Sequence, residues 1–253
     1  IGFQNIVFRN FDGTPVNGFE TLAEHARIGK EYGVDHLVVW DSLSLGNYCI
    51  YEPDLDLFDY QPSERRTLMQ GLADAAAEGV TVSALTNFRH INVTSKLHEQ
   101  YREHAVRCLD GSEVRENWLG GTRSSTIFTP HLGGNCILLS PRSSATRQRN
   151  EEMLNRYLDL GYTAIFYDQP FLYQLDYRGI EDGWQPDDAS EACYDTIERL
   201  RALVIERDPN AYVIGEQCDI FSASRAIDLH MEWIFGYVVD DLARAHYACP
   251  HAL

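Results

Sequence analysis

The sequence has 253 residues, of which 44% are apolar, a length that suits a single large α/β domain with a sizeable core. Aspartate and glutamate number 38 against 21 lysines and arginines, so the net charge is −17. Nucleic acids and anionic membranes both require a positively charged face, and no apolar stretch approaches the ~18 residues of a membrane span. We therefore expect no nucleic-acid partner and no membrane partner.

One unit recurs along the chain: an amphipathic helix, a glycine or Pro-Asn that ends it, and a short apolar run that ends in a polar residue. In chain order the predicted strands are Gln4 to Arg9, His36 to Asp41, Val80 to Asn87, Ala164 to Asp168, Tyr212 to Glu216, and Glu232 to Val238. The predicted helices are Phe19 to Tyr32, Ser63 to Gly79, one through Met153 and Leu158 that ends at Gly161, and one through Ile197 and Val204 that ends before Pro209-Asn210.

Apolar strands that alternate with helices are typical of a parallel sheet with right-handed crossovers. A doubly wound sheet usually carries a glycine-rich phosphate loop after its first strand, and Phe11 to Pro15 is not such a loop. The pattern therefore favours a TIM-type (β/α) barrel that forms one catalytic domain over residues 1–253. Because only six of eight strands are found, we expect the last strands to be lacking and a partner chain or missing segment to complete the barrel.

The segment 89–140 is too long to be a simple loop, and we interpret it as an insertion after the third strand. It contains a predicted helix from Ser95 to Leu109 and an apolar run from Cys136 to Ser140. Insertions after barrel strands lie on the catalytic face, so this one is expected to shape the substrate pocket.

Two carboxylates follow dry apolar strands, Asp168 after the fourth strand and Glu216 at the end of the fifth. Neighbouring parallel strands lie ~4.8 Å apart, so the two carboxyl groups are expected to approach to roughly 5 to 7 Å. Such a pair suits a retaining glycoside hydrolase, in which one carboxylate attacks the sugar and the other donates a proton. The alternative is structural: each acid caps its loop or pairs with an arginine such as Arg89 or Arg225.

The run from Gly161 to Gln169 resembles the nucleophile strand of retaining α-glycosidase barrels of the α-galactosidase and endo-α-N-acetylgalactosaminidase type. The run from Cys136 to Pro141 is similar to the segment that precedes that strand, and Val213 to Glu216 resembles a following strand that offers an acid. The resemblance implies that Asp168 is the nucleophile. It leaves two sources for the general acid: Glu216, as in barrels like α-amylase, or Asp240 or Asp241, as in the α-galactosidase type.

A further set of polar and aromatic residues near the predicted strand ends is expected to bind the carbohydrate substrate, because aromatic faces stack on sugars and polar groups bind hydroxyls. These residues are Trp40, Asp41, Asn87, Arg89, His90, Gln169 and Tyr173.

Two other functions stay open. His36, His90 and His230 could join Asp168 and Glu216 in a metal site of the sugar-isomerase kind. We expect His36 to lie at the opposite end of the barrel and His230 on a helix, and therefore expect neither a metal nor an organic cofactor. The third possibility is a barrel fragment that binds carbohydrate without turnover, which the missing strands favour.

Overall fold

A computed structural model describes residues 3–6, 8, 16–39, 62–93, 95, 97–116, 136–168, 170–171, 175–216 and 226–231. The elements are β1 (Phe3–Ile6), α1 (Leu22–Glu31), β2 (His36–Val39), α2 (Pro62–Ala77), β3 (Thr81–Thr86), β4 (His90–Asn92), α3 (His98–Tyr101), β5 (Arg115–Glu116), β6 (Cys136–Leu138), α4 (Ser144–Leu160), β7 (Ala164–Tyr167), α5 (Asp188–Arg207), β8 (Tyr212–Glu216) and β9 (Leu229–Met231). Among these residues, no helix is long and apolar enough to span a membrane.

Six of the strands form one parallel sheet in the order β1-β2-β3-β7-β8-β9. The order follows the chain without a reversal, as in the wall of a (β/α) barrel and unlike a doubly wound sheet. The predicted α/β fold with a parallel sheet is thus confirmed, and the order of the described strands differs from that of a doubly wound sheet. Closure of this sheet into a barrel stays a prediction.

The described part of the sixth strand begins before the predicted segment, Glu232 to Val238. It spans Leu229–Met231 and pairs with β8, whereas residues 232–238 lie outside the described part of the chain. Asp228 fixes this position, because its amide donates to the carbonyl of Val213 at 2.9 Å and its Oδ2 accepts from the amide of Val213 at 3.0 Å. His230 consequently lies in a strand, and the expectation that it lies on a helix is wrong.

The helices α1, α2, α4 and α5 cover one face of the sheet, here called the outer face. Alternate strand residues point into this layer and form the main core with apolar residues of the helices; they include Leu37, Val39, Val82, Ala84, Ile165, Tyr167 and Val213 from the sheet and Leu22, Leu68, Leu154 and Leu200 from the helices. Helix α4 shows how local sequence sets the boundaries. Ser143 caps its first turn by accepting from the amide of Thr146, and Gly161 ends it at φ 101°, which suits glycine.

The opposite face, here called the inner face, is layered. Val38, Leu85, Phe166 and Ile214 form a separate buried apolar cluster there. Nearer the amino ends of the strands, His36 makes two hydrogen bonds. Its Nε2 lies 2.8 Å from the hydroxyl of Ser83, and its Nδ1 lies 2.6 Å from the hydroxyl of Tyr212. The inner face therefore carries a polar layer followed by an apolar layer, and the carboxyl ends of the strands lie beyond the latter.

The insertion 89–140 forms a small antiparallel sheet of β4, β6 and β5, apart from the main sheet. The helix predicted from Ser95 to Leu109 is wrong in extent: α3 and a following 3-10 turn end at His104. The reason is that Ala105 and Val106 pair with residues 138–139 at the end of β6, where the amide of Val106 donates to the carbonyl of Leu138 at 2.7 Å, while Arg107 and Cys108 pair with residues 112–113. Because these N–H and C=O groups form hydrogen bonds with neighbouring extended segments, they cannot form the hydrogen bonds of a helix.

Candidate active site

Three polar residues form a row across the carboxyl ends of β3, β7 and β8. Asn87 follows β3, Asp168 follows β7, and Glu216 is the last residue of β8. The ladder pairs Thr86 with Tyr167 and Tyr167 with Gly215, so the next residue on each strand falls in one line. The amide of Asp168 donates to the carbonyl of Thr86 at 2.9 Å, which continues the ladder up to the row.

The three side chains share the inner face. Leu85, Phe166 and Ile214 of the inner apolar cluster precede Asn87, Asp168 and Glu216 by two residues each. Because strand side chains alternate between faces, residues two apart point to the same side. The prediction that Asp168 and Glu216 end neighbouring parallel strands is confirmed.

Asn87 and Asp168 are in direct contact. The Nδ2 of Asn87 donates to Oδ2 of Asp168 at 3.2 Å, while Oδ1 of Asn87 accepts from the backbone amide of Arg89 at 2.8 Å. Asn87 is fully buried, and Asp168 and Glu216 are 5% and 4% exposed. Carboxylates this deeply buried require compensating partners, and one of those of Asp168 is the Asn87 amide.

The connection from β7 to α5, which begins at the candidate site, is anchored to the insertion by Asp176. Its Oδ2 accepts from the hydroxyl of Ser140 at 2.5 Å, and its Oδ1 accepts from the amides of Arg107 and Arg178 at 3.0 Å each. The guanidinium of Arg142 lies 3.6 Å from Oδ2 and donates to the backbone carbonyl of Asp176 at 3.1 Å. One fully buried carboxylate thus joins three separate segments.

Further contacts fix the same connection close to Asp168. Cys193 on α5 donates its thiol to the carbonyl of Pro170 at 3.0 Å, and the rings of Phe171 and Tyr194 lie 4.9 Å apart. Burial raises the pKa of the Cys193 thiol, an effect that the nearby positive charge of Arg89 partly offsets. The segment that follows Asp168 is therefore held from α5 as well as from the insertion.

The structure places the other predicted site residues as follows. Arg89 and His90 are fully buried, with His90 at the start of β4, so neither side chain presents surface to a ligand in this structure. The remaining predicted residues lie outside the described part of the chain: Trp40, Asp41, Gln169, Tyr173, Asp240 and Asp241.

His36 lies at the opposite end of the sheet from the other residues of the metal hypothesis, Asp168 and Glu216. His36 begins β2, at the amino end of the sheet as predicted, and is engaged with Ser83 and Tyr212. Burial lowers its pKa to about 4, and the negative charge of Asp35 opposes that shift. Within the described ranges, no group of three or more His, Cys, Asp or Glu side chains is arranged to hold a metal ion.

Sequence reasoning missed Asp176 and its partners Ser140 and Arg142. Their sequence signal is weak, because each is a single polar residue in an irregular segment. A buried acid that bonds residues 36 and 69 positions away leaves no local periodicity to detect.

Comparisons with known proteins identify relatives by fold alone. No family model matches the sequence, and no curated protein matches it. Among solved structures, the chain is similar to a noncanonic maltogenic alpha-amylase from Thermotoga neapolitana, with a TM-score of 0.59 at 12% identity over 92% of this chain and 49% of that one.

Two further solved structures show a similar likeness. An alpha-galactosidase from Thermus thermophilus has a TM-score of 0.58 at 13% identity over 90% of this chain and 40% of that one. A trehalose-6-phosphate hydrolase from Bacillus licheniformis has a TM-score of 0.57 at 15% identity over 90% of this chain and 48% of that one. The chain spans half or less of each of these proteins, and the structural neighbours are glycoside hydrolases of the TIM-barrel fold.

Proposed function

We propose that the protein is a retaining α-glycoside hydrolase on a (β/α) barrel, with Asp168 as nucleophile and Glu216 as general acid and base. The observation that carries the proposal is the position of these two carboxylates, in register at the carboxyl edge of neighbouring strands and on the same face. Because neighbouring strands lie ~4.8 Å apart, the two carboxyl groups are expected to lie roughly 5 to 7 Å from each other. Retaining enzymes use about 5 to 5.5 Å.

Glu216 is preferred as the acid over Asp240 and Asp241. It ends the fifth strand of the sheet, one strand beyond Asp168. On the sixth strand, the residue in register with Glu216 is Met231, which has no acidic group. The row of polar residues across the strand ends therefore supports a pair from the fourth and fifth strands.

The reaction proceeds in two displacements. In the first, a carboxylate oxygen of Asp168 forms a bond to the anomeric carbon as the glycosidic bond breaks. The leaving oxygen takes the proton of Glu216, which becomes a carboxylate. In the second, Glu216 removes a proton from water, the water oxygen attacks the anomeric carbon, and the ester bond to Asp168 breaks. Two inversions give net retention, and both carboxyl groups return to their first state.

The substrate is proposed to be an α-linked sugar, bound by residues that follow the predicted strand ends in the sequence. Trp40 and Tyr173 would stack on the sugar ring, and Asp41 and Gln169 would bind its hydroxyls. Arg89 and His90 remain proposed ligands on the sequence argument, although both are buried in the structure. No metal or organic cofactor takes part in the proposed mechanism.

The stereochemistry of the product tests the proposal. The intact protein is incubated with aryl α-glucosides and α-galactosides, and proton NMR follows the first anomer released. An α-anomer that appears before mutarotation is expected. A β-anomer would contradict the retaining mechanism, and sugar binding without hydrolysis would favour the non-catalytic alternative.

The nucleophile is identified by trapping with a fluorinated glycosyl fluoride, which forms the covalent ester but is released slowly. Mass spectrometry of the digest is expected to place the added sugar on Asp168. Asp168→Asn should abolish both trapping and turnover, because an amide cannot attack the anomeric carbon. Asp195→Asn removes an exposed carboxylate of α5 and should behave like the unmodified protein. A label on another carboxylate would overturn the assignment.

A further inference from the structure

We infer that Asn87 is a positioning residue that selects which oxygen of Asp168 attacks, an inference that rests on the proposed function. Its amide bonds Oδ2 of Asp168 and leaves Oδ1 to form the bond to the anomeric carbon. Asn87 was expected to bind substrate. The geometry assigns it instead a role exerted through the nucleophile.

The orientation of the Asn87 amide is fixed from both ends. Its Oδ1 accepts from the backbone amide of Arg89 at 2.8 Å, a group that can only donate. The side-chain NH2 must therefore face the other way, where it meets Oδ2 of Asp168 at 3.2 Å. Rotating the amide by half a turn would place its oxygen against a carboxylate oxygen and its NH2 against a backbone N–H. Both contacts would be repulsive.

Burial strengthens this contact and limits its alternatives. Asn87 is fully buried and Asp168 is 5% exposed, so water competes little for either group. The backbone of Asp168 is held as well, by its amide bond to Thr86 on the strand that carries Asn87. With its backbone and one oxygen held from β3, the carboxylate has one preferred plane, and the neighbouring Glu216 lies on the other side of it.

A fixed carboxylate plane matters for the reaction. Attack requires one oxygen to lie on the line that the leaving group departs along, and small misplacements of a reacting atom cost about a hundredfold in rate. As Oδ1 becomes the ester oxygen, Oδ2 becomes a carbonyl oxygen that still accepts from Asn87. When water releases the sugar, the negative charge returns to the carboxylate and the Asn87 amide again stabilises it.

The test compares Asn87→Asp with Asn87→Ala in the intact protein. The aspartate variant has the same shape and keeps an acceptor for the Arg89 amide, but it replaces the donor with a second acid beside Asp168. At a pH where both acids are ionised they repel, and the rate is expected to fall about a hundredfold. On acidification the pair retains one shared proton, a donor is restored, and a large part of the activity should return.

Asn87→Ala lacks any donor, so its loss of kcat is expected at every pH, with KM changed less than threefold. The matched control is Asn210→Asp, which makes the same substitution at an exposed position before β8 and should leave the pH–rate profile unchanged. Near-UV circular dichroism establishes that each variant is folded.

The outcomes separate the two ideas. An unmodified protein that hydrolyses no glycoside overturns the proposed function and the role of Asn87 together. An active protein in which Asn87→Asp and Asn87→Ala match Asn210→Asp overturns the inference alone. A pH-independent loss in Asn87→Asp, equal to that in Asn87→Ala, also overturns it, because a packing defect would not respond to a shared proton.

Discussion

Tyr212 and His36 meet across the inner face of the sheet, with Oη and Nδ1 2.6 Å apart and ring centroids 5.5 Å apart. Their strands, β8 and β2, are separated by two intervening strands, β3 and β7. Three strand spacings amount to about 14 Å on a flat sheet, where side chains stand roughly perpendicular. The sheet must therefore curve around its inner face, as the proposed barrel requires.

The buried His36 predicts a pH dependence of stability. Burial lowers the pKa of folded His36 to about 4 from an unfolded value near 6.5, so the unfolded state binds more protons between these values. Stability is therefore lost as the pH falls through this window, by up to about 3 kcal/mol from His36. Urea unfolding between pH 4 and 7.5 measures the loss.

Substitution isolates that contribution from those of the carboxylates. His36→Gln lacks the titrating group, so its free energy of unfolding should depend less steeply on pH than that of the unmodified protein. His25→Gln on α1 serves as the control and should keep the steep dependence. Equal slopes for His36→Gln and the unmodified protein would contradict the prediction.

Gly71 allows α2 to approach the turn before α1, and its replacement is expected to destabilise the protein. A Cβ at this position would lie 2.9 Å from the backbone carbonyl oxygen of Phe19 and 3.2 Å from Cβ of Leu22. A backbone atom cannot move aside cheaply, so overpacking of about 1 to 3 kcal/mol should exceed the ~1 kcal/mol that alanine gains by helix propensity.

Denaturant unfolding of Gly71→Ala measures the net effect. Ala73→Gly, at an exposed position of the same helix, reports the propensity difference without the contact. If the free energy of unfolding rises in Gly71→Ala by as much as it falls in Ala73→Gly, the close approach of Gly71 to Phe19 has no energetic consequence and the prediction is wrong.

The sequence predicts those parts of the fold that depend on local pattern. The strands that end at Asn87, Asp168 and Glu216 were predicted within one residue of their observed ends, since each is a continuous apolar run bounded by polar residues. Their neighbour relations followed from the chirality and order of βαβ units.

The rest could not be predicted because it depends on contacts distant in sequence. The segment that ends with Leu109 has a helical pattern, yet Ala105 and Val106 pair with residues 138–139, which are distant in sequence, and residues 107–108 pair with residues 112–113. The described part of the sixth strand, Leu229–Met231, includes the polar His230, so no continuous apolar run marks where this strand begins. Asn87 was recognised as a strand-end residue, but the direction of its amide depends on Arg89 and Asp168 together.

Asp176 is expected to be essential for the structure around the candidate site. Asp176→Ala removes the acceptor of the Ser140 hydroxyl and two backbone amides and takes the nearer carboxylate from the Arg142 guanidinium, whose side chain is only 4% exposed and which then has Asp188 at 4.0 Å as its acidic partner. Removing one partner from a buried ionic network costs on the order of 3 kcal/mol. Urea unfolding measures the cost, and hydrogen exchange should accelerate at residues 105–107 and 175–186.

The control for Asp176 is Asp182→Ala, which removes an exposed carboxylate from the same connection. It should change the free energy of unfolding by less than about 0.5 kcal/mol. If Asp176→Ala unfolds at the same urea concentration as Asp182→Ala, the carboxylate does not hold the insertion and this connection together.

The role of Glu216 predicts a dependence on the leaving group. Protonation by the general acid assists a sugar or alkyl leaving group strongly and a 2,4-dinitrophenolate hardly at all. Glu216→Gln should therefore lower kcat/KM by about 10² to 10⁴ for substrates with sugar or alkyl leaving groups and change it little for 2,4-dinitrophenyl glycosides. Azide, which needs no general base, should then accelerate the second step and yield a glycosyl azide.

The control is Glu206→Gln, which replaces an exposed glutamate of α5 and should leave kcat/KM unchanged for both kinds of substrate. A uniform loss across leaving groups would mean that Glu216 holds the site in shape without transferring the proton, and the acid would then have to be sought among the remaining carboxylates.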